Sequence, residues 1–256
     1  MKGLSGRVVV VAGAASGIGA ASARRLAAEG ASVVVGDIHL DGAEHTARAI
    51  AATGGTAIAV EYDQSDEDSV AGLIAHAVER FGGLDGLHAN AADLRPEIFG
   101  RDVDVLGMDV AVWERTLRVN LIGYALLIRA AVPHLLARGA GAIVCTTTTG
   151  GSPPIGRSSP VAYISSKAGV NALCRHVASR WGQDGIRCNA VAPGVVVTDA
   201  AKALMSDEYF AELRAATRSP RLGEPEDIAS AVAFLLSDEG AWVNGQVWGV
   251  NGGMAL

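Results

Sequence analysis

Residues 7–37 read "RVVVVAGAASGIGAASARRLAAEGASVVVGD", and this stretch decides the fold. A run of valines at 8–11 leads into a glycine-rich turn, an alanine-rich segment of helical period that ends at Gly30, and a second valine run at 33–35. Strands buried on both faces read as continuous apolar runs, and a strand–helix–strand unit makes its two strands parallel through a right-handed crossover. The stretch therefore predicts the first βαβ unit of a parallel sheet.

The same alternation continues along the rest of the chain, without a Pro/Ser-rich linker or an internal repeat. We predict strands over 7–13, 31–37, 56–63, 84–90, 141–147, 186–193 and 246–250, and helices over 17–30, 41–52, 66–81, 110–138, 160–182 and 225–237, with a helical lid-like segment near 200–216. The pattern indicates an α/β fold: a single doubly wound Rossmann-like domain over 1–256, with helices on both faces of a seven-stranded parallel sheet.

Composition and charge exclude several classes of protein. Of the 256 residues, 50% are hydrophobic, which is enough for a sizeable core and argues against disorder. The formal net charge of −6 argues against nucleic-acid binding, because phosphate backbones attract clustered Lys and Arg. The first strand starts near Arg7, which leaves no room for a signal peptide, and no apolar run reaches the ~18 residues of a spanning helix. We expect a soluble, cytoplasmic protein.

The cysteines and histidines do not form a metal-binding pattern. Cys145, Cys174 and Cys188 are widely spaced, so they match neither a disulfide framework nor a CxxC pair. Each lies in an apolar stretch and is interpreted as a buried thiol. The six histidines lack HExxH or paired i, i+4 spacing, and we predict no metal site.

The turn after the first predicted strand has the spacing of a dinucleotide-binding loop. Gly13, Gly17 and Gly19 form a GxxxGxG pattern between a strand and a helix. Glycines at such positions allow a sharp turn and bring backbone N–H groups close to a pyrophosphate, and the positive end of the helix dipole adds to the attraction.

A carboxylate at the end of the second strand indicates which dinucleotide binds. Asp37 lies 24 residues after Gly13, where it would accept hydrogen bonds from both adenosine ribose hydroxyls and repel a 2′-phosphate. Neither Ser16 in the turn nor Ile38 after the carboxylate is a cation that would neutralise a 2′-phosphate, so NAD is favoured over NADP. The alternative is that Asp37 is a loop residue that caps the next helix.

The pattern "YISSK" places Tyr163 and Lys167 four positions apart, on one face of a predicted helix. Together with six other segments, it resembles the short-chain dehydrogenase/reductase family over nearly the whole chain. These segments are "AGAASGIG", "HANAA", "RVNLIG", "NAVAPGVVVT", "RLGEPEDIASAVAFLLSDE" and "VNGQVWGVNGG". A free tyrosine has a pKa near ~10 and is a poor base at neutral pH. The adjacent Lys167 ammonium and a bound nicotinamide would favour its phenolate by Coulomb attraction.

The resemblance implies a catalytic set of four residues. Tyr163 exchanges the proton, Lys167 also holds the nicotinamide ribose, and the main chain of Asn120 holds a water that links the lysine to solvent. The family usually has a serine at the end of the fifth strand, and its motif laid over "CTTTTGG" places Thr148 there.

The spacing between Thr148 and Tyr163 is longer than the family's, so "SPPIGRSSP" would absorb the extra residues. A shift in register would give the role of the serine to Thr147 or Thr149. Alternatively, all four threonines are β-branched strand residues.

The resemblance also implies a set of cofactor contacts. They are Gly13, Ser16, Gly17, Ile18, Gly19, Asp37, Ile38, Asp63, Gln64, Asn90, Ala91, Tyr163, Lys167, Pro193, Gly194, Val196 and Thr198. The chain departs from the family where Ala12 replaces a threonine that braces the turn and where Ala92 replaces a glycine.

These observations predict an oxidoreductase that transfers a hydride between NAD(H) and a secondary alcohol or ketone, with a homotetramer expected from the resemblance. Two segments would wall the substrate pocket: 93–107, longer than in the family, and a lid over 199–217. Apolar residues in the lid favour a hydrophobic or cyclic substrate, although they would equally pack that helix against the core. The alternatives are an NADPH-dependent 3-oxoacyl thioester reductase and a low-turnover dinucleotide-binding regulatory protein.

Overall fold

A computed structural model describes residues 1–149, 160–204 and 206–254. Its strands form one seven-stranded sheet in the order β3-β2-β1-β4-β5-β6-β7, and every neighbouring pair is parallel. The strands are β1 Val8–Ala12, β2 Ser32–Asp37, β3 Thr56–Glu61, β4 Gly86–Ala89, β5 Gly141–Thr146, β6 Ile186–Pro193 and β7 Val247–Val250. The predicted parallel sheet of seven strands is confirmed.

Helices cover both faces of the sheet. They are α1 Gly17–Ala28, α2 Leu40–Ala52, α3 Glu67–Phe81, α4 Val110–Leu117, α5 Gly123–Ala137, α6 Val161–Trp181, α7 Asp199–Leu204, α8 Asp207–Ala216 and α9 Pro225–Leu236. Alternate residues of β1 point to opposite faces, so Val8 and Val10 join a core with α3, α5 and α6. Val9 and Val11 join a second core with α1, α2 and α9. The doubly wound arrangement is therefore confirmed.

The predicted helix over 110–138 consists of α4 and α5 joined by a π-helical turn at Arg118–Ile122. The combined helix, Val110–Ala137, is long and apolar enough to cross a membrane by length and composition, and 56% of its most apolar window is buried inside the protein. A count of uninterrupted apolar residues does not detect it, because polar residues interrupt the run. Core helices of soluble proteins pass the same test, so this helix is weak evidence for a membrane.

The carboxyl edge of the sheet collects the segments predicted to carry function. Strand order reverses between β1 and β4, and a crevice forms where neighbouring connections leave in opposite directions. Gly13 follows β1, Asn90 follows β4, Thr147 follows β5 and Gly194 follows β6. The first turns of α1 and α6 also begin at this edge.

The predicted lid differs in detail from the structure. It contains two helices, α7 and α8, and α8 starts where the Ser206 hydroxyl accepts a hydrogen bond from the Tyr209 N–H at 3.2 Å. No residue of α8 is buried, so its apolar side chains do not pack into the core. The lid over 199–217 and the single domain over 1–256 remain predictions, and Met205, one of the apolar residues of the lid, lies outside the described residues.

Candidate active site

The glycine turn after β1 requires glycine at its key positions. Gly13 has a φ of +84° and Gly17 a φ of +54°, values that side-chain-bearing residues rarely adopt. A Cβ on Gly13 would lie 2.5 Å from the Ala91 Cα, and one on Gly19 would lie 1.9 Å from the Gly13 carbonyl oxygen. The turn therefore depends on glycine both for its backbone angles and for its close contact with the segment after β4.

The start of α1 is suited to an anion. Ser16 is the N-cap residue, is exposed, and its side chain makes no capping hydrogen bond. The first turn, which includes Ile18, contains no acidic residue. The first N–H groups of a helix lack intrahelical acceptors and lie at the positive end of the dipole. These features fit a pyrophosphate group.

Asp37 at the end of β2 braces the glycine turn. Its Oδ2 accepts a hydrogen bond from the Ala15 N–H at 2.9 Å, and its Oδ1 accepts one from the His39 N–H at 3.0 Å. His39 is the N-cap of α2, so the carboxylate also has the local role considered as an alternative. Each carboxylate oxygen can accept a further hydrogen bond, and Ile38 beside it is half exposed. The position is therefore compatible with a ribose contact.

Asp63, which follows β3, lies in a network of hydroxyl and guanidinium groups. Its Oδ1 accepts hydrogen bonds from the Ser65 N–H and hydroxyl, both at 2.7 Å. Burial raises the pKa of Asp63, but the Ser65 hydrogen bonds and the charges of Arg115 and Arg95 outweigh it, so the net pKa is lowered. Asp63 is therefore an anionic acceptor at neutral pH.

The side chains of Gln64 and Asn90 are used inside the protein. Gln64 donates to the Ala91 carbonyl at 3.2 Å and to the Val119 carbonyl at 2.8 Å. Asn90 donates to the Gly13 carbonyl at 2.9 Å. These amides hold the loops that surround the glycine turn, so a cofactor contact from Gln64 would come from its main chain. The predicted cofactor roles of Gln64, Asn90 and Ala91 remain predictions.

Lys167 lies at the centre of a hydrogen-bond network with Tyr124 and Thr146. It is buried, and its Nζ donates to the Tyr124 hydroxyl and to the Thr146 carbonyl, each at 2.9 Å. Tyr124 in turn donates to the same carbonyl at 3.2 Å. Burial lowers the pKa of Lys167 to about 7. The ammonium is thus held in place but only marginally protonated at neutral pH.

Tyr163 lies one helical turn before Lys167 on α6, and the Lys167 Nζ is 5.7 Å from the centroid of its ring. Burial raises the pKa of Tyr163 to about 12. This direction is opposite to the acidic phenol expected from the sequence, because burial disfavours the charged phenolate. The expectation concerned the complex with a nicotinamide, and for that complex it remains a prediction.

Asn120 lies in the π-helical turn and is fully buried. Its Oδ1 accepts a hydrogen bond from the Asp93 N–H at 3.0 Å. Its Nδ2 makes no hydrogen bond within the described part of the chain. A buried amide without a partner is costly, and it is an observation that points to a water or ligand contact at this position.

The comparisons with known proteins agree with this geometry. A family model described as enoyl-(acyl carrier protein) reductase matches residues 13–255. A cis-4-hydroxycyclohexanecarboxylate dehydrogenase of Sinomonas cyclohexanicum is 43% identical over 96% of this chain and 96% of its own length. A probable short-chain type dehydrogenase/reductase of Bradyrhizobium diazoefficiens is 41% identical over 97% of this chain and 87% of its own length. The chain belongs to the short-chain dehydrogenase/reductase family.

A solved member of the family has the same fold. It is a 7α-hydroxysteroid dehydrogenase complexed with NADH and 7-oxo glycochenodeoxycholic acid, with a TM-score of 0.90 and 33% identity over 98% of this chain and 95% of its own. These relatives are dehydrogenases, so the predicted family, its fold and the class of oxidoreductase are confirmed.

The hydroxyl groups of Thr146, Thr147 and Thr149 contact different partners. The Thr146 hydroxyl lies 2.9 Å from His88 Nε2. Thr147 donates its hydroxyl to the Val191 carbonyl at 3.1 Å, and Thr149 donates its own to the Pro193 carbonyl at 3.0 Å. Thr147 and Thr149 are thereby tied to β6, which disfavours both as the substrate-binding hydroxyl.

Thr148, the residue chosen from the family motif, is half-buried just beyond β5. Residues 150–159, which include most of the segment expected to absorb the longer spacing, lie outside the described residues. The role of Thr148 therefore remains a prediction.

The segment after β6 approaches the glycine turn from the other side. Val196 pairs with Gly223 in an isolated parallel bridge, and the Thr198 hydroxyl accepts a hydrogen bond from the Ala201 N–H at 3.1 Å. Thr198 also lies beside Gly17, since a Cβ on that glycine would be 3.3 Å from the Thr198 Cγ2. Pro193 and Gly194 turn the chain between β6 and this segment. Their nicotinamide contacts remain predictions.

Two buried residues of the site were missed by sequence reasoning. Tyr124 lies one helical turn after Asn120, and this i, i+4 spacing is a signal that could have identified it. His88 has no partner for Nδ1 within the described residues, and burial together with the charge of Lys167 lowers its pKa to about 3. His88 is therefore neutral and holds the end of β5 through Thr146.

The three cysteines, expected to be separate buried thiols, come together on β5, α6 and β6. The sulfur atoms of Cys145, Cys174 and Cys188 all lie within 4.8 Å of one another, and all three residues are buried. The prediction of buried thiols agrees with this placement. Spacing along the sequence does not reveal the cluster, because neighbouring strands and a crossover helix bring the residues together.

Proposed function

We propose that the protein is an NAD-dependent dehydrogenase and ketoreductase that acts on a cyclic or hydrophobic secondary alcohol and the matching ketone. The carrying observation is that one edge of the sheet holds both the glycine turn braced by Asp37 and the Tyr163–Lys167 pair. A dehydrogenase needs a dinucleotide site and a proton-transfer group side by side. Relatives that act on a hydroxycyclohexanecarboxylate and on a 7α-hydroxysteroid support the cyclic substrate class.

The described residues fit an NAD molecule. The N-terminus of α1 and the turn at Gly13 would bind the pyrophosphate through backbone N–H groups, and Asp37 would accept hydrogen bonds from the adenosine ribose. The same carboxylate would repel a 2′-phosphate. The structural neighbour complexed with NADH supports this choice. When bound, NAD supplies the hydride acceptor for alcohol oxidation.

The proton would leave through the phenol of Tyr163. In oxidation, its phenolate takes the proton from the alcohol oxygen, while the Thr148 hydroxyl donates a hydrogen bond that orients that oxygen. The intrinsic pKa of Tyr163 is too high for this task unless positive charge lies close to the phenol. Lys167 supplies such a charge when it is protonated, and its anchors on Tyr124 and Thr146 keep it within one helical turn of the phenol.

Asn120 would complete the site. Its buried Nδ2 has an unused donor, and the π-helical turn widens the backbone at this position. A water on the main chain of Asn120, as the family resemblance implies, would carry the proton from Lys167 towards solvent, and the unused Nδ2 donor offers a further contact at this position.

We further propose that the protein acts in the cytoplasm as a homotetramer. Exposed apolar side chains on the α4–α5 helix support an interface, since Val110 is 61% and Ile122 is 43% exposed. Light scattering on the purified chain tests the assembly, and a monomer at micromolar concentration would contradict it. Cell fractionation tests the location.

The test of the function is a spectrophotometric assay of NADH formation. We expect turnover with ring-bearing secondary alcohols, such as hydroxycyclohexanecarboxylates and hydroxysteroids, above that with linear ones. NAD should be preferred to NADP by about tenfold or more in kcat/KM, a difference of about 1.4 kcal/mol. Faster NADPH-dependent reduction of a 3-oxoacyl thioester would overturn the proposal. So would NAD binding without turnover on any alcohol.

The coenzyme preference has its own variant. Asp37→Ala should raise the Kd for NAD by about tenfold and narrow the preference over NADP, because a ribose acceptor and a repelling charge are both lost. Isothermal titration with both coenzymes measures this. An unchanged Kd for NAD would contradict the ribose contact.

A further inference from the structure

The segment between β4 and α4 reaches across the site to the start of α6. Asp102 in this segment is buried, and both of its carboxylate oxygens are bonded to the first turn of the catalytic helix. Oδ1 accepts from the Ala162 N–H at 2.9 Å, and Oδ2 accepts from the Tyr163 N–H at 2.8 Å. A carboxylate about sixty residues earlier in the chain thus holds the main chain of Tyr163.

The helix itself provides no substitute for this carboxylate. Its N-cap residue is Pro160, which has no side-chain acceptor, and no acidic residue lies in its first turn. The first N–H groups of a helix need acceptors from elsewhere, and an anion near the N-terminus also interacts favourably with the helix dipole. Asp102 therefore serves as the cap of α6 from a distant segment.

The same segment also contacts the tyrosine ring. Phe99 lies in a 3₁₀ turn, and its ring meets that of Tyr163 edge to face, with centroids 5.4 Å apart and an interplanar angle of 89°. Tyr163 is therefore held at its main chain by Asp102 and at its ring by Phe99. Both the main chain and the ring of Tyr163 are thus in contact with this segment.

We propose that Asp102 is a positioning residue for the proton-transfer step, acting on Tyr163 through the first turn of α6. This inference rests on the proposed function. Because Asp102 and Phe99 belong to the segment expected to wall the substrate pocket, a substrate that presses on this segment also moves the tyrosine support. Substrate fit and catalytic geometry are then coupled through one loop.

The test compares two aspartates of the same segment that both cap helices. Asp109 accepts a hydrogen bond from the Ala111 N–H at 2.9 Å and caps α4, so Asp109→Ala is the matched control for Asp102→Ala. An error of about 1 Å in the placement of a catalytic group costs about 10²-fold in rate. We expect Asp102→Ala to lower kcat by about 10- to 100-fold and to leave the Kd for NAD within about twofold.

Asp102→Asn keeps one acceptor oxygen and should lie between wild type and Asp102→Ala in kcat. Asp109→Ala should retain kcat within about twofold. A wild-type kcat in Asp102→Ala, or an equal loss in Asp109→Ala, would overturn the proposal. Should Asp102→Ala not fold, Asp102→Asn decides: a fall in kcat of about threefold or more supports the inference, and a wild-type kcat overturns it.

A second measurement does not depend on turnover, so failure of the proposed function stays distinguishable. With tyrosine isotope-labelled at Cζ, the NMR resonance of Tyr163 is identified by its loss in Tyr163→Phe. We expect this resonance and its titration midpoint to move in Asp102→Asn and to stay unchanged in Asp109→Ala. Unchanged Tyr163 signals in Asp102→Asn overturn the positioning role, whereas absence of alcohol oxidation by the wild-type protein overturns the proposed function alone.

Discussion

The adenosine end and the catalytic end of the site are built in opposite ways. At the adenosine end, polar side chains brace the loops that would hold the ligand: Asp37 bonds the Ala15 N–H, and Asn90 bonds the Gly13 carbonyl. At the catalytic end, Asn120 Nδ2 and His88 Nδ1 are buried without partners in the described residues, and the pKa of Lys167 is lowered to about 7.

The difference shows that binding and chemistry make different demands on the same sheet edge. A phosphate cradle made of backbone N–H groups works best when it is rigid, and internal hydrogen bonds provide that rigidity. A proton-transfer site needs groups whose charge can change at neutral pH, and burial supplies the required pKa shifts at a cost in stability. Substitutions at the two ends should therefore affect different measurements.

The largest effect is expected at the phenol. Tyr163→Phe removes the proton-transferring hydroxyl and should lower kcat by about 10³-fold, within the usual range for general acid–base groups. The Kd for NAD should stay within about threefold, a difference of about 0.6 kcal/mol. Stopped-flow turnover and NAD titration measure the two quantities. If Tyr163→Phe retained turnover, another group would have to transfer the proton. The contrast between the adenosine end and the catalytic end would then be wrong.

The second effect belongs to the adenosine end. Gly13→Ala combines a positive φ with a Cβ 2.5 Å from the Ala91 Cα, whereas Gly54 has a φ of +82° with nothing within 4 Å of its Cβ position. Gly54→Ala should cost about 1–2 kcal/mol through backbone strain alone. Gly13→Ala should cost more and also weaken NAD binding by about tenfold or more, or about 1.4 kcal/mol.

Urea unfolding and NAD titration of the two glycine variants provide the comparison. Equal losses of stability with unchanged NAD binding in both variants would show that the cradle tolerates a side chain at Gly13. The rigid description of the adenosine end would then be wrong.

A third comparison sharpens the catalytic end. Thr148→Val replaces the hydroxyl by a methyl of similar volume and should lower kcat by about 10²-fold, as loss of one oriented donor does. Thr147→Val removes a bond to the Val191 carbonyl and should mainly reduce stability, by about 1 kcal/mol. Steady-state kinetics and thermal unfolding separate the two. The reverse pattern would place the substrate donor at Thr147.

The smallest effect concerns pH and stability. Because burial lowers the pKa of Lys167 to about 7 in the folded chain and an unfolded lysine titrates near ~10.4, the unfolded state binds more protons between these pH values. The free energy of unfolding of the wild type therefore rises with pH across this window. Below this pH window, Lys167 is protonated in both the folded and the unfolded state. The cost of burying its charge then lowers the free energy of unfolding in full.

Lys167→Met removes this titration. Its stability relative to wild type should be highest near pH 7 and fall by about 1 kcal/mol towards pH 8, as measured by urea unfolding. Loss of the hydrogen bonds to Tyr124 and Thr146 adds an offset that does not vary with pH. Parallel stability curves would show that the lysine is not desolvated in the folded protein.

Much of the fold and part of the site could be predicted from local sequence pattern. The span predicted for β6, 186–193, coincides with the observed strand, because the segment is mostly apolar and lies between Gly185 and the turn at Pro193 and Gly194. The glycine turn and Asp37 were recognisable because backbone angles and strand ends constrain residue type locally. Tyr163 and Lys167 were recognisable by helical spacing.

The remaining features depend on contacts between distant segments. Asp102 reaches the first turn of α6 only because the long loop after β4 folds back over it. The hydrogen bond from Lys167 to the Thr146 carbonyl joins a helix to a strand end, and no periodicity encodes such a pair. The direction of the Tyr163 pKa shift likewise depends on burial, which is a property of the packed structure.

The clustered thiols of Cys145, Cys174 and Cys188 are natural probes of local unfolding. All three are buried in the core, and Cys145 and Cys174 lie close enough to Lys167 to affect its pKa. A thiol-specific reagent therefore reacts only after the packing between α6 and the central strands has opened. With reagent in excess, the labelling rate measures how often that region opens. A bound coenzyme that stabilises the packing of α6 against the central strands should lower the rate of thiol labelling. No engineered probe is needed for this measurement.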